Sequence, residues 1–411
     1  MNNNTTTLTL WSNIMNYFSY TTLFFDDLIP PLIASVGCRL LENKHIKEPI
    51  YYVNNLPENT LNLHIVHVAP SGLSKSYIFR QFTDRKIGIL PQDIIPVHIA
   101  GRMTEPAFVG TVELKKIDGE ATAVVNYGLA KNYSDGILVY NEMDMLFGSI
   151  HSTASYDTQL LNQVLQAITE CRISKDLAHG NIEYDTHVLL WGATQPARFD
   201  FSSGIGRRFM FIGRIWTYED IEKLKSTRIN HKHMKEEQLE YINKLRNTIR
   251  QDIKSLYNFI MYKIDNIELD IQLQNRIAQY SRTVSEMQLL ERFSIGYTIM
   301  NTDISNYNEN TLYIMDTQQL DYYIKQLVSI RANIESGLEL YLLTEYLSKC
   351  TNQQATREQL WSYFSKLGYT FKKLQNLIED AIKYRMVSMH YINNKTVIKL
   401  LYNISQSPGG A

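Results

Sequence analysis

Apolar and polar positions change period several times along this chain. His64–Phe79, HIVHVAPSGLSKSYIF, opens on a short apolar run, crosses small residues to Lys75-Ser76, and continues at helical spacing. The pattern predicts a buried strand, a loop and a helix. Gly136–Leu146 and His187–Pro196 each hold another short apolar strand, ending at Asn141-Glu142 and at Gln195, and Ile94–His98 reads as a further strand. Two stretches alternate about turns: Val112–Val125 around Asp118-Gly119, and Arg172–Asp185 around His179-Gly180-Asn181. Both predict hairpins. Asp157–Glu170 between them repeats at helical spacing, as do Leu8–Phe25, expected to be an amphipathic packing helix, and Leu28–Glu48.

From Trp216 to Leu338 the chain is charge-rich and helical by period. Tyr218–Met261 predicts long exposed helices, Arg276–Met300 a bundle, Asn301–Asn310 a polar loop, and Asp316–Ser336 a closing helix. Beyond Glu339, helices are expected at Leu340–Lys349, Arg357–Leu367 and Phe371–Arg385, then a hairpin over Val387–Leu401 turning at Asn393-Asn394-Lys395. Thr356 is the expected N-cap of the second helix, and Gly368 ends it.

Composition narrows the class. A chain of 411 residues, 44% hydrophobic and 20% charged, has room for two or three domains with ordinary cores. Net charge is −1, so any contact with nucleic acid must come from local basic patches. Cys38, Cys171 and Cys350 are far apart, show no metal spacing and fit a reducing cytoplasm. Ile14–Phe25 is too short and too interrupted to span a bilayer, and no signal peptide is evident, so a cytoplasmic or nucleoid-associated protein with no membrane partner is expected.

The strand–loop–helix at Ala69, Pro70, Ser71, Gly72, Leu73, Ser74, Lys75 and Ser76 has the layout of a phosphate-binding loop, with Ala69 and Ser74 where the usual pattern has glycine. Backbone N–H groups there would cradle phosphate oxygens, Lys75 would reach the β- and γ-phosphates, and Ser76 would ligate Mg²⁺. Asn141-Glu142, expected beside the phosphate strand, supplies a metal ligand and a carboxylate to orient water. An ordinary strand–helix turn would look similar; the order of the pieces argues against one.

That order resembles an AAA+ ATPase, and within it the motor domain of the MCM replicative helicases, over roughly residues 30–300. MCM phosphate loops read G-D-P-G-x-[AS]-K-S, against Ala69–Ser76 here. The Walker B run D-E-F-D-K-M stands against Asn141-Glu142-Met143-Asp144-Met145, with Gly136 at the family spacing. The sensor strand ending A-A-N-P stands against Ala193-Thr194-Gln195-Pro196, and the arginine-finger motif S-R-F against Arg207-Arg208-Phe209. The resemblance implies an α/β AAA+ P-loop core, a parallel sheet between helices, with a helical lid; beyond it, three helices followed by a hairpin read as a C-terminal winged helix, a module that binds DNA or docks on protein. The expected division is 1–48 N-terminal helical extension, 49–215 nucleotide-binding core, 216–338 lid and connector, and 339–405 winged-helix domain.

The resemblance further implies ATP and Mg²⁺ held between subunits of a homo-oligomeric, hexameric ring, with Glu142 orienting water, Gln195 sensing the γ-phosphate, Arg208 acting in the neighbouring subunit, and Ser76 and Asn141 at the metal. DNA would be touched at Lys115 and Lys116 on the first hairpin, Lys175 on the second, and Lys372, Lys373 and Lys395 in the winged helix; His179 is read as a turn residue. Other replication proteins are expected partners. Departures are Asn141 for the Walker B aspartate, Gln195 for asparagine, and Ser285 where the lid sensor is arginine, a role Arg282 or Arg292 could take. These keep two alternatives open: an initiator or loader using ATP as an assembly switch, and a degenerate structural subunit. The divergent, compact motor also suits a mobile element or virus.

Overall fold

The computed structural model describes residues 9–52, 59–69, 75–101, 103–117, 120–143, 146, 155–178, 180–194, 205–214, 223–227, 234–335, 338–383, 387–392 and 395–401. In chain order the elements are α1 (Leu10–Thr21), α2 (Phe25–Lys47), β1 (Tyr51–Tyr52), β2 (Ile65–Val68), α3 (Lys75–Thr83), β3 (Val97–Ala100), α4 (Glu105–Val109), β4 (Gly110–Ile117), β5 (Glu120–Tyr127), α5 (Leu129–Asn132), β6 (Ile137–Tyr140), α6 (Ser155–Glu170), β7 (Arg172–Leu177), β8 (Gly180–Asp185), β9 (Leu189–Thr194) and β10 (Met210–Gly213). Then come α7 (Glu236–Lys263), β11 (Asn266–Leu269), α8 (Ile271–Tyr280), α9 (Val284–Asn301), β12 (Thr311–Ile314), α10 (Gln318–Glu335), α11 (Leu338–Lys349), β13 (Gln354–Thr356), α12 (Arg357–Lys366), α13 (Phe371–Lys383), β14 (Val387–Ile392) and β15 (Lys395–Leu400).

A five-stranded, all-parallel sheet in the order β10-β2-β9-β6-β3 forms the centre. Its strands are four to six residues long; β2, β6, β9 and β10 are buried on both faces, as parallel strands covered by helices must be, and the edge strand β3 is partly exposed. Side chains alternate between the faces. Ile65, Ile137, Val139, Trp191 and Ile212 turn toward a core shared with α1, α2, α3 and α7 to α10. Val66, Val68, Leu138, Leu190 and Phe211 turn toward a second core built on α4 and α6. Trp191 anchors the first: it is fully buried, stacked on Phe79 at 5.8 Å, edge-on to Phe82 at 5.4 Å, and donates its indole N–H to Ser35 Oγ at 2.9 Å. Truncating such a residue to alanine costs about 3–5 kcal/mol.

Segments 1–48, 49–215 and 216–338 therefore share one hydrophobic core. Helix α2 lies directly on the sheet, buried from Leu28 to Lys44. It crosses α9 at close range: a Cβ on Gly296 would stand 2.0 Å from the Ala34 carbonyl oxygen, so only glycine permits the approach. A second, three-stranded parallel sheet, β1-β11-β12, joins the same core through Ile267, Leu312 and Ile314. The sequence pattern predicts only helix and polar loop here, because strands of two to four residues are too short to display a period.

The two hairpins stand where the alternation puts them. β4 and β5 pair from Gly110↔Tyr127 to Ile117↔Glu120. β7 and β8 pair from Arg172↔Asp185 to Leu177↔Gly180, so that Gly180 and Asn181, expected in the turn, belong to β8. The last unit has its own core of α11, α12, α13 and a β13-β15-β14 antiparallel sheet. Thr356 caps α12 in a reciprocal capping box with Gln359, and Gly368 follows the helix with φ +84°. Among the described residues no helix is long and apolar enough to cross a membrane.

Candidate functional site

Strands β2, β9 and β6 end together at the carboxyl edge of the large sheet. Val68 is level with Thr194, and Tyr140 with Gly192. Two backbone bonds tie the chain leaving each outer strand to the middle one: Ala69 N–H donates to the Thr194 carbonyl at 3.1 Å, and Met143 N–H to the Ala193 carbonyl at 2.9 Å. Helix α3 leaves β2 toward one face and α6 lies on the other, so the winding changes direction at β2 and β9. Crevices at such reversals are where open parallel sheets bind ligands.

Lys75 opens α3, and its Nζ donates to the Ala69 carbonyl at 2.6 Å, folding the amine back over the start of the loop. Ser76 is exposed beside it, Asn141 is half-buried and Glu142 exposed in the turn after β6. The expectation that β6 lies directly beside β2 is corrected: β9 is inserted between them. Two strand spacings, about 10 Å, thus separate the strands that carry Lys75 and Glu142. Pro70, Ser71, Gly72, Leu73, Ser74 and Gln195 lie outside the described residues, as do Asp118-Gly119 and His179.

Gly192 sets the Glu142 turn. A Cβ on it would stand 1.7 Å from Met143 Sδ, so the buried Met143 packs over β9 only because the strand has no side chain there. Behind the loop, His67 on β2 is fully buried with both ring nitrogens unpartnered, edge-on to Phe79 at 6.3 Å. Burial, with a smaller push from the Lys75 charge, lowers its pKa to about 3. Two further groups at this edge carry no sequence signal. Phe24, in a left-handed conformation at φ 57°, packs against Ala69, and Arg214, just past β10, stacks on the Phe24 ring at 4.0 Å and pairs with Asp27.

The arginines distribute differently. Arg208 precedes β10, and so stands at the amino edge, where its Nε–H donates to Thr169 Oγ1 at 2.6 Å. From there it cannot reach the Lys75 edge of its own sheet. Arg292 donates to the Asn62 carbonyl, ahead of β2. Arg282 and Arg331 both pair with Glu286, and Arg331 also donates to the Gly206 carbonyl. Arg282 and Arg292 are therefore engaged at the amino edge, the edge that also holds Arg208.

The lysines divide likewise. Lys115 and Lys116 are exposed, two and one residues from the end of β4, with Glu113 3.8 Å from Lys115. Lys175 is only 20% exposed and bound to Glu105 at 2.8 Å. Lys373 is bound to Glu339 at 2.6 Å and lies over the Tyr369 ring, whereas Lys372 and Lys395 are exposed. Lys175 and Lys373 thus act first as internal ties, because each meets a carboxylate that is itself mostly covered.

A scan against protein-family models finds no match to this sequence, and no curated protein matches it.

Proposed function

We propose that this protein is a P-loop ATPase of the AAA+ type, related to the MCM motors, that works on DNA as a ring. The reading rests on one observation: Lys75-Ser76 and Asn141-Glu142 leave the same sheet edge on either side of a strand whose end is polar. Lys75 would exchange its bond to the Ala69 carbonyl for phosphate oxygens. Ser76 and, through metal-bound water, Asn141 fit Mg²⁺, which would neutralise charge on the β- and γ-phosphates. Glu142, exposed and held in its turn by the Met143–Ala193 bond, would orient the attacking water. Arg208 at the opposite edge suits action on a neighbouring subunit's nucleotide, which is what a ring supplies. The exposed Lys115 and Lys116 near the end of β4 would meet a strand in the channel, and the last unit, three helices and a hairpin, is read as a winged helix.

The engagement of Arg282 and Arg292 at the amino edge favours a second reading, in which ATP is turned over slowly and serves to assemble the ring. Glu142→Gln, assayed for phosphate release with and without single-stranded DNA, tests the first reading: turnover should fall at least about a hundredfold while ATP still binds. DNA-independent assembly on ATP, with little turnover in the unaltered protein, would favour the second.

A further inference from the structure

Away from the carboxyl edge, three chemically active side chains from distant parts of the chain meet at the amino edge. Glu42 near the end of α2, Cys171 between α6 and β7, and His187 before β9 hold their Oε, Sγ and ring nitrogen atoms within 4.8 Å of one another. Glu42 is fully buried, and its oxygens are divided: Oε2 accepts from Leu61 N–H at 2.6 Å, and Oε1 meets His187 Nδ1 at 2.6 Å. His187 is fixed by its backbone as well. Its N–H donates to Ser134 Oγ at 3.0 Å, and its carbonyl accepts from Asn62 Nδ2 at 2.7 Å and from Arg39. Cys171 has φ +54°, a left-handed conformation for which glycine or asparagine is the unstrained choice. Strained non-glycine residues of this kind concentrate at functional positions.

We propose that Cys171, His187 and Glu42 form a thiol-activating relay, making Cys171 a modification site for hydroperoxides and other soft electrophiles. The set carboxylate–imidazole–sulfur is that of an activated nucleophile: an imidazole within 4.8 Å of the sulfur, itself oriented by a carboxylate at 2.6 Å. Burial would lower the His187 pKa, but hydrogen bonds and charges from Cys171 and Glu42 outweigh it and raise the value to about 9, so the ring carries its proton at neutral pH. An imidazolium beside a thiol favours the thiolate. Arg39, fully buried and close to both Glu42 and Cys171, adds positive charge on the same side.

With hydrogen peroxide the step balances as follows. The Cys171 sulfur attacks one peroxide oxygen, the O–O bond breaks and an S–O bond forms. The departing hydroxide takes the proton from His187 and leaves as water. Sulfur loses two electrons, the peroxide gains them, and a sulfenic acid remains. Cys171 is 7% exposed, its Sγ donates to the Asn59 carbonyl at 3.4 Å, and it lies two residues from Thr169, the partner of Arg208. The inference rests on this cluster alone and is independent of the ATPase reading.

The other two thiols are internal controls. Cys38 is fully buried, and Cys350 is half-buried with its pKa pushed up by burial. The intact protein is treated with iodoacetamide at pH 7 and the three sites are followed by peptide mass spectrometry. Cys171 should react about tenfold faster than Cys350 despite its lower exposure, Glu42→Gln should slow it by a similar factor with the fold retained by circular dichroism, and peroxide should give a dimedone-trapped adduct at Cys171 alone. A Cys171 rate at or below that of Cys350 in the unaltered protein overturns the proposal, whether or not the variant folds. So does one equivalent of zinc in the purified protein that must be chelated before Cys171 reacts, since the cluster would then be a metal centre.

Discussion

Lys75 and Glu142 rise from one edge of one sheet with strand β9 between them. The gap of about 10 Å between their strands suits a triphosphate with its metal better than direct contact of the two side chains. The amine and carboxylate would be neutralised by each other in contact, and neither would be available to a ligand.

A consequence follows for Lys75→Ala. Removing the amine should abolish nucleotide binding, whereas Glu142→Gln should retain it and block turnover. Equilibrium binding of a fluorescent ATP analogue separates the two. Equal loss of binding in both variants would mean that Glu142 does not face the nucleotide as a water-orienting group.

Gly192 gives a test that touches neither charged residue. Gly192→Ala drives a methyl group into the side chain of the buried Met143, 1.7 Å from its Sδ. Overpacking of this kind costs about 1–3 kcal/mol. The displaced turn should also lower ATP turnover. Adding Met143→Ala removes the obstruction, so the double variant should recover turnover relative to Gly192→Ala. Denaturant midpoints and phosphate release measure the two effects.

Much of this arrangement was legible in the chain. Ile137–Tyr140 and Leu189–Thr194 are buried on both faces, so unbroken apolar runs marked them, and the alternation over Val112–Val125 marked the β4–β5 hairpin, whose strands reach two residues further at each end. The insertion of β9 was not legible, because sequence order does not reveal spatial order in a parallel sheet. Nor was the sharing of one core by α2, α9 and the sheet: the Gly37–Gly296 crossing depends on two glycines 259 positions apart that look ordinary in isolation. Glu42, Cys171 and His187 likewise meet only after folding, and their spacing along the chain matches no ligand pattern.

Buried imidazoles predict the pH dependence of stability. His64 and His67 are fully buried with pKa values lowered to about 3, chiefly by burial. Between pH 6.5 and 3 the unfolded chain binds protons that the folded chain refuses, so stability falls as pH drops through that window. Each histidine contributes at most about 1.4 kcal/mol per pH unit there. His187 works in the opposite sense: raised to about 9, it contributes stability below pH 6.5 that is lost as pH rises toward 9. Thermal unfolding should show a maximum near pH 6.5. His67→Phe should flatten the acid limb, and His187→Gln the alkaline one.

The lysines separate stability from DNA binding. Lys175→Ala leaves Glu105, whose side chain is 10% exposed, without its lysine, and Lys373→Ala takes the cation from Glu339, which keeps its hydrogen bond with Tyr369, and uncovers the Tyr369 ring. Each should cost about 1–3 kcal/mol, the penalty for leaving a mostly covered charged group without its partner. Lys115 and Lys116 make no such tie to a covered group, and removing both should leave the unfolding midpoint within about 0.5 kcal/mol of the parent. On the proposed function their loss should instead weaken single-stranded DNA binding and reduce the slope of log affinity against log salt by about 0.7 for each phosphate no longer neutralised. Lys372→Ala with Lys395→Ala should do the same for duplex DNA. Fluorescence anisotropy across a salt series measures both. An unchanged slope for the Lys115/Lys116 variant would remove the first hairpin from the DNA path, and a stability loss there in place of an affinity loss would reverse the assignment of the two lysine classes.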